Sequence, residues 1–501
     1  MPNKPPREGS HWLTIGFLLA PTFLAGAVHA PVLLGAWLAC ALGAALARWR
    51  ARGDAPLSPL ALAAALLTAT AALQLIPLPT ALLGWLSPFH AQARAALPDA
   101  LGVGLGGPVT PAQIETSLAL ARWSALALAA CALSWSLARD RAAARTFSAQ
   151  WAQGLAAAAV LQTLIGLGQT LAGTGGAIAG LWQSSRASLA IVSGTFVNGN
   201  HAGAFLVLGA LAAAGAAASA AGWRRAAWAA AAATNATGAF LSGSRGAILA
   251  LALCALGLAA QLLWRAINTR RRAPTTHAWT PWAAAALLPL ALLAAVASQA
   301  ALPKRLAWEL QTSASVEDLG HELKLHMITA GARMIPAFPW LGQGADASAH
   351  TLPAWLAAPQ GARISFIESD PLQILLDFGI LAGGAALALA LYSWWAVAAP
   401  RAAGGPLRST DLGLAWGLAA WCVSAAVSFN VEILGLALPA LASATALLER
   451  RDRLGPPRHA RALTALLMIL IVLGGLGAAR HLQLAPRAQA LSARLANPTA
   501  P

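Results

Sequence analysis

The sequence predicts an all-α polytopic integral membrane protein with about 12–13 transmembrane helices and one large loop on the non-cytoplasmic side. Three observations carry this. Of the 501 residues, 58% are hydrophobic and only 10% charged, with a mean hydropathy of +0.63, a composition no soluble domain of this length sustains. Apolar runs of about 17–25 residues recur along the whole chain, each long enough to cross the hydrocarbon core of a bilayer. The formal net charge of +16 comes from basic residues gathered in short clusters between those runs. They form no aromatic-basic stacking platform, so the charge reads as a topology signal and no nucleic-acid partner is expected.

The spans are expected at residues 12–28, 31–47, 58–76, 117–138, 150–169, 201–221, 226–241, 247–264, 281–300, 373–397, 412–429, 431–448 and 462–479. With Lys4 and Arg7 on the cytoplasmic side, the cytoplasmic connections collect Arg48, Arg50 and Arg52, then Arg139, Arg141 and Arg145, then Arg224 and Arg225. They continue with Arg265 and Arg270–Arg272, then Arg401 and Arg408, then Arg450, Arg451, Arg453, Arg458 and Arg461. Most of the Lys and Arg thus obeys the positive-inside rule, and removing one span would invert half the clusters. The first apolar stretch reads as a retained helix: Pro21 and Gly26 break it, no small-residue cleavage site ends it, and a second span follows at once. Cys40, Cys131, Cys254 and Cys422 all fall inside expected spans, which leaves neither a disulfide framework nor a zinc spacing. No metal and no cofactor are therefore expected. The expected organisation is a membrane domain over residues 1–480, with 301–372 as a large, partly helical lid, and a short outer tail over 481–501.

Three segments on the non-cytoplasmic side are too long or too polar to be simple turns. Residues 77–116 carry the Pro77-Leu-Pro79 turn and Trp85, and suit a connector lying along the membrane surface. Residues 170–200 end in a polar run just before a span. Residues 301–372 hold most of the extramembrane acidic residues and several histidines.

Four motifs then follow in one order: Thr195-Phe-Val-Asn198-Gly-Asn200-His201-Ala running into a helix, Ser242-Gly-Ser-Arg245-Gly-Ala between two spans, Trp340-Leu-Gly-Gln-Gly344 in the large loop, and Glu368-Ser-Asp370-Pro-Leu-Gln373 leading to Asp377-Phe-Gly379. With the earlier Ala27-Val-His29-Ala-Pro31 and Leu75-Ile-Pro-Leu-Pro79 segments, the chain resembles the O-antigen ligase and O-antigen polymerase superfamily of bacterial envelope glycosyltransferases over nearly its whole length. The resemblance implies a multi-pass protein of the bacterial inner membrane with a periplasmic active site. It implies metal-independent transfer of a glycan from a polyprenyl-pyrophosphate donor to a lipid or glycan acceptor, either ligation to lipid A core or polymerisation of repeat units, with membrane lipids as surroundings.

The residues must supply two functions. A pyrophosphate leaving group needs fixed positive charge and hydrogen-bond donors, and Arg offers a bidentate fork for phosphate oxygens. Arg245, flanked by Ser242, Gly243, Ser244 and Gly246, is the first candidate and Arg186 the second; the alternative for Arg245 is an interfacial cation snorkelling to headgroups. Arg122 falls inside an expected span and should face a polar interior, unless that helix is shifted toward the interface. Acceptor activation needs a base within reach of a sugar hydroxyl. The family pattern has a histidine at the head of the last motif, and this chain has Glu368 there. Glu368 is the expected base if partly buried, with His201, His321, His326 or His350 as the alternatives. Asp370 either orients an arginine or stabilises the start of the following helix, while Asp377, about two turns into the span, must face the interior and pair. Asn198, Asn200, His201, His326 and Gln373 are expected to bind substrate, with a helix cap as the other reading of Asn198, Asn200 and His201.

A transporter or flippase for a lipid-linked or polar substrate, and a non-catalytic family member, are the competing classes. A transporter should show polar residues at mid-depth in several helices and an internal repeat, whereas here the polar residues crowd the outer ends and no repeat is evident. The departure at Glu368 is the feature that favours a non-catalytic member. The topology is directly testable: a reporter fused after Arg272 should be cytoplasmic and one near Val316 non-cytoplasmic, and finding both on one side would remove the register.

Overall fold

The computed structural model describes residues 11–50, 58–95, 107–137, 141–174, 177–178, 182–183, 192–270, 319–356, 364–398, 407–449 and 460–496. Among these the chain is all-α apart from two short antiparallel pairings, Pro77–Leu78 with Gly107–Pro108 and Ala177–Ile178 with Trp182–Gln183. The helices in order are α1 (Trp12–Phe23), α2 (Ala30–Arg50), α3 (Pro59–Gln74), α4 (Thr80–Leu86), α5 (Pro88–Ala95), α6 (Gln113–Leu137), α7 (Arg141–Leu171) and α8 (Gly199–Ser219). They continue with α9 (Gly222–Leu241), α10 (Arg245–Arg270), α11 (Leu319–Met334), α12 (Ser348–Thr351), α13 (Asp370–Ala398), α14 (Ser409–Ala425), α15 (Leu434–Leu448) and α16 (Ala460–Ala496).

Among the described residues, α2, α6, α7, α8, α10, α13 and α16 are long and apolar enough to cross a membrane, and α1, α3 and α15 are shorter apolar helices. Each expected span falls on a helix, except 281–300, which lies outside the described residues. Two helices outrun their apolar cores. The Ala-rich, amphipathic start of α7 carries that helix back to Arg141, and α16 continues through Pro486 to Ala496, over most of the segment read as a tail.

The chain divides into two compact units: Met1–His29, Ser136–Asp318 and Trp394–Gly455 form the first, and Ala30–Trp135, Leu319–Ser393 and Pro456–Pro501 the second. The first is built around α8, which is buried along almost its whole length. Its glycines allow close backbone approach: a Cβ on Gly215 would lie 2.6 Å from Ser409 O and 2.7 Å from the Gly413 Cα of α14. This is the small-residue packing that lets apolar helices associate when lipid is as apolar as their side chains. Hydrogen bonds between helices add to it, from Thr22 Oγ1 to Gly435 O (2.6 Å), from Trp151 Nε1 to Ser443 Oγ (2.9 Å) and from Ser148 Oγ to Asp411 Oδ1 (2.7 Å).

The second unit is built around α6, with α16 packed on it through Gly477, where a Cβ would come within 2.7 Å of Ser117 O. The unit also carries a compact lobe whose buried core includes Met327, Met334, Phe338, Leu352, Ile367 and Leu376. The segment expected to be a surface connector is part of this lobe: Phe89 of α5 meets Phe338 edge-on at 5.2 Å between ring centroids, and Trp85 stacks on Trp340 at 6.2 Å. Its apolar side chains thus find a protein partner. His90 is buried there against Ser87 Oγ (3.0 Å), and burial, helped by Arg94, pushes its imidazole down to about 4, so it is neutral at physiological pH.

Candidate functional site

The polar centre of the second unit is Asp377, fully buried two turns inside α13. An isolated carboxylate there would be costly, so its oxygens should be found engaged. Oδ1 accepts from Gln343 Nε2 (2.9 Å) and Gln373 Nε2 (2.8 Å), and Oδ2 accepts from the Asp346 N–H (3.1 Å). Both amides also donate to Ser348 Oγ, at 2.8 and 2.9 Å, and Thr351 Oγ1 donates to Gln343 Oε1. Asp346, held at a positive φ of 60° that Asp tolerates better than most residues, forms a bidentate pair with Arg122 at 2.8 and 2.9 Å. Arg122 is 3% exposed, so it faces the protein interior. From α3, Gln74 donates to Leu341 O and Asp377 O, each at 2.6 Å, and accepts from the Ala345 N–H at 2.9 Å.

This arrangement explains two of the sequence motifs. Gly379 departs from helical geometry with φ of 75°, and a side chain there would run into Trp340 O. Gly342, at φ of 74°, would likewise meet the Asp377 backbone. Two chain segments therefore touch backbone to backbone, joined by Gln343 N–H to Leu376 O (2.8 Å) and Ile380 N–H to Pro339 O (2.9 Å). Only glycine permits both the positive φ and the approach. The Trp340–Gly344 and Asp377–Gly379 motifs are two halves of one joint.

That joint holds the segment carrying Glu368. Gln373 is fully buried, and its Oε1 accepts the Ile367 N–H at 2.6 Å, while the Ile367 side chain is fully buried in the lobe core. The next residue, Glu368, is thereby presented at the head of α13 with a side chain 14% exposed, its Oε2 3.1 Å from Lys324 Nζ of α11. Asp370 is buried in the first turn of α13, where the helix dipole favours a carboxylate. His326 lies two residues beyond Lys324, so it projects from a different side of α11, and is exposed. His350 pairs loosely with Glu115 at 3.4 Å.

Of the remaining candidates, His321 stands in the first turn of α11, Arg186 lies outside the described residues, and the others belong to the first unit. Asn198 is the N-cap of α8, its side chain accepting the Asn200 N–H at 2.9 Å, so the capping reading is realised. His201 is buried edge-on against Phe429 at 4.7 Å, and Asn200 is half-buried. Arg245 is exposed as the first residue of α10, following a turn in which Ser244 Oγ accepts the Ala247 N–H at 3.3 Å. A cation there opposes the helix dipole, so helix stability does not account for it.

Residues 230–388 match the model of the family described as O-Antigen ligase. Through that region, about a third of its length, the chain is similar to the O-antigen ligase family. The matched residues include Arg245, the Trp340–Gly344 motif, Glu368 and the α13 joint, whereas Asn198–His201 fall before them. No curated protein matches the chain.

Within the matched region, sequence reasoning overlooked Lys324 and assigned no role to Gln343, Asp346 or Ser348. Lys324 carries no signal, being one cation in a loop of mixed charge. Asp346 was open to inference, because an arginine inside a span needs a nearby carboxylate and Asp346 follows the glycine motif directly. Removing one partner of the Arg122–Asp346 pair strands a buried charge, so Arg122→Gln should cost about 3–5 kcal/mol. Adding Asp346→Asn should recover at least half of that loss, since two neutral groups can still hydrogen-bond. Unfolding in detergent measures both, and additive losses would contradict the pairing.

Proposed function

We propose that the protein transfers a glycan from a polyprenyl-pyrophosphate donor to a sugar hydroxyl of a lipid or glycan acceptor, at the periplasmic face of the bacterial inner membrane. The observation supporting this most directly is Glu368: a carboxylate at the head of α13, held by Lys324 and by a backbone that Gln373 grips, at the head of the motif where the family pattern has a histidine.

In the reaction the acceptor oxygen attacks the anomeric carbon of the donor sugar. The bond from that carbon to the phosphate oxygen breaks, the polyprenyl pyrophosphate leaves with the electron pair, and the acceptor proton passes to Glu368. A carboxylate suffices for this step, although an ordinary Glu is a weak base. Transfer through an oxocarbenium-like transition state makes the attacking hydroxyl strongly acidic as the new bond forms, and inverting glycosidases activate water with a carboxylate in this way. Lys324 Nζ, 3.1 Å from Oε2, holds the carboxylate in place before the proton arrives. Arg245 is assigned to the pyrophosphate, where its planar fork and the positive end of the α10 dipole suit phosphate oxygens.

Transfer from a purified lipid-linked glycan tests these roles. Glu368→Gln should lower the rate by about 10²–10⁴ with the fold intact. Glu368→His should restore part of it and move the acidic limb of the pH–rate profile toward the imidazole value of about 6.5. Arg245→Lys, which keeps the charge and loses the fork, should cost nearly as much as Arg245→Ala. Wild-type rates in Glu368→Gln across pH would remove Glu368 from the chemistry, and full activity in Arg245→Ala would leave Arg245 a surface cation.

A further inference from the structure

In the first unit, a cavity of about 1000 Å³ opens between the start of α7, the corner joining α8 to α9 and the start of α14. Three guanidinium groups line it, those of Arg145, Arg224 and Arg408, and all three residues are exposed. Asp411 is the acidic residue among the lining side chains, and its carboxylate is engaged below the surface. It is 1% exposed, Oδ1 accepts from Ser148 Oγ at 2.7 Å, and Oδ2 accepts the Arg408 N–H at 3.2 Å. Three guanidinium groups against one carboxylate leave the lining with a net positive charge.

Helix stability does not explain the charge. Arg145 stands in the second turn of α7, Arg224 in the first turn of α9 and Arg408 immediately before α14, so each lies at a helix N-terminus, where a cation is unfavourable. The starts of α9 and α14 add positive potential to the same opening, while the carbonyl end of α8 there is met by Arg225 Nε at Ala220 O (2.9 Å), and the arginine-lined opening suits an anion bearing several acceptor oxygens. Two further features select the kind of anion. Trp223 is 77% exposed at the cavity, with Trp228 beside it, and tryptophans in such positions mark the headgroup level of a bilayer. The volume also exceeds what a lone phosphate fills. The three arginines belong, in addition, to clusters that the positive-inside register assigns to the cytoplasmic side, the leaflet that offers anionic lipid to basic pockets.

We propose that this cavity binds the phosphate-bearing headgroup of an anionic phospholipid, as a site separate from the residues assigned to glycan transfer. The shared chemistry is a phosphate ester, and the experiment distinguishes a lipid from a free anion.

The full-length protein in a neutral detergent would be titrated with phosphatidylglycerol or phosphatidylcholine and followed by native mass spectrometry. Phosphatidylglycerol should be retained as one discrete adduct at concentrations where phosphatidylcholine is not. Replacing Arg145, Arg224 or Arg408 singly by Gln should weaken the adduct about fivefold each, and the triple replacement on the order of 100-fold. The control variant Arg48→Gln/Arg50→Gln, which removes charge from the end of α2, should leave it unchanged. Because the replaced residues are exposed, the single variants should keep the wild-type melting temperature, and binding is read from them even if the triple variant is poorly folded. Undiminished binding in the single variants, an equal loss in the control, or binding of inorganic phosphate without phosphatidylglycerol would each overturn the proposal.

Discussion

A carboxylate two turns inside an apolar helix cannot be left to the bilayer, and the second unit is organised around meeting that demand at Asp377. Three donors converge on its oxygens, from Gln343, Gln373 and the Asp346 backbone, and each of those residues fixes something else. Gln343 and Gln373 share Ser348, Asp346 grips Arg122, and Gln373 turns its other end to the Ile367 N–H. A half-satisfied network of this kind would be worse than an apolar core, whereas a complete one is rigid. The rigidity is passed to Glu368, which sits one residue beyond the anchored Ile367.

The all-α class and the apolar helices were legible in the sequence because their cause, apolar length, is local. The same holds for Asn198, whose N-cap role follows from an Asn placed before a helical run. Asp377 was legible in part: its burial and need for partners followed from its place in a span, but not the identity of those partners, which come from about 30 residues earlier in the chain and from α3. The Trp340–Gly344 and Asp377–Gly379 motifs could be recognised as strings, yet their physical content, two glycines that let backbones touch, exists only once both segments are placed together. Lys324 was beyond reach for the same reason, since nothing local couples a lysine on α11 to a glutamate ahead of α13. Gln373, read from sequence as a substrate contact, has both ends of its amide engaged within the protein.

The departure from the superfamily at Glu368 also takes on a physical meaning. A histidine in that place would need no cation beside it. A carboxylate does benefit from one, because the lobe half-buries it, and Lys324 supplies the compensating charge at 3.1 Å. The pair is 14% and 40% exposed on its two sides, so it remains partly open to solvent while the adjoining backbone is fixed from within. Preorganisation of this kind, with a rigid scaffold below and an accessible acceptor above, is what positioned proton transfer requires.

The dependence of the Glu368 segment on Asp377 is measured most directly by amide hydrogen exchange in the full-length protein, comparing the wild type with Asp377→Ala. Loss of the carboxylate leaves three buried donors without an acceptor, at about 1–3 kcal/mol each. Exchange in residues 339–349 and 364–373 should therefore accelerate together, by at least about tenfold, while α8 and α14 keep their protection. Wild-type protection of residues 364–369 in that variant would contradict the coupling and leave Glu368 positioned by something other than the buried network.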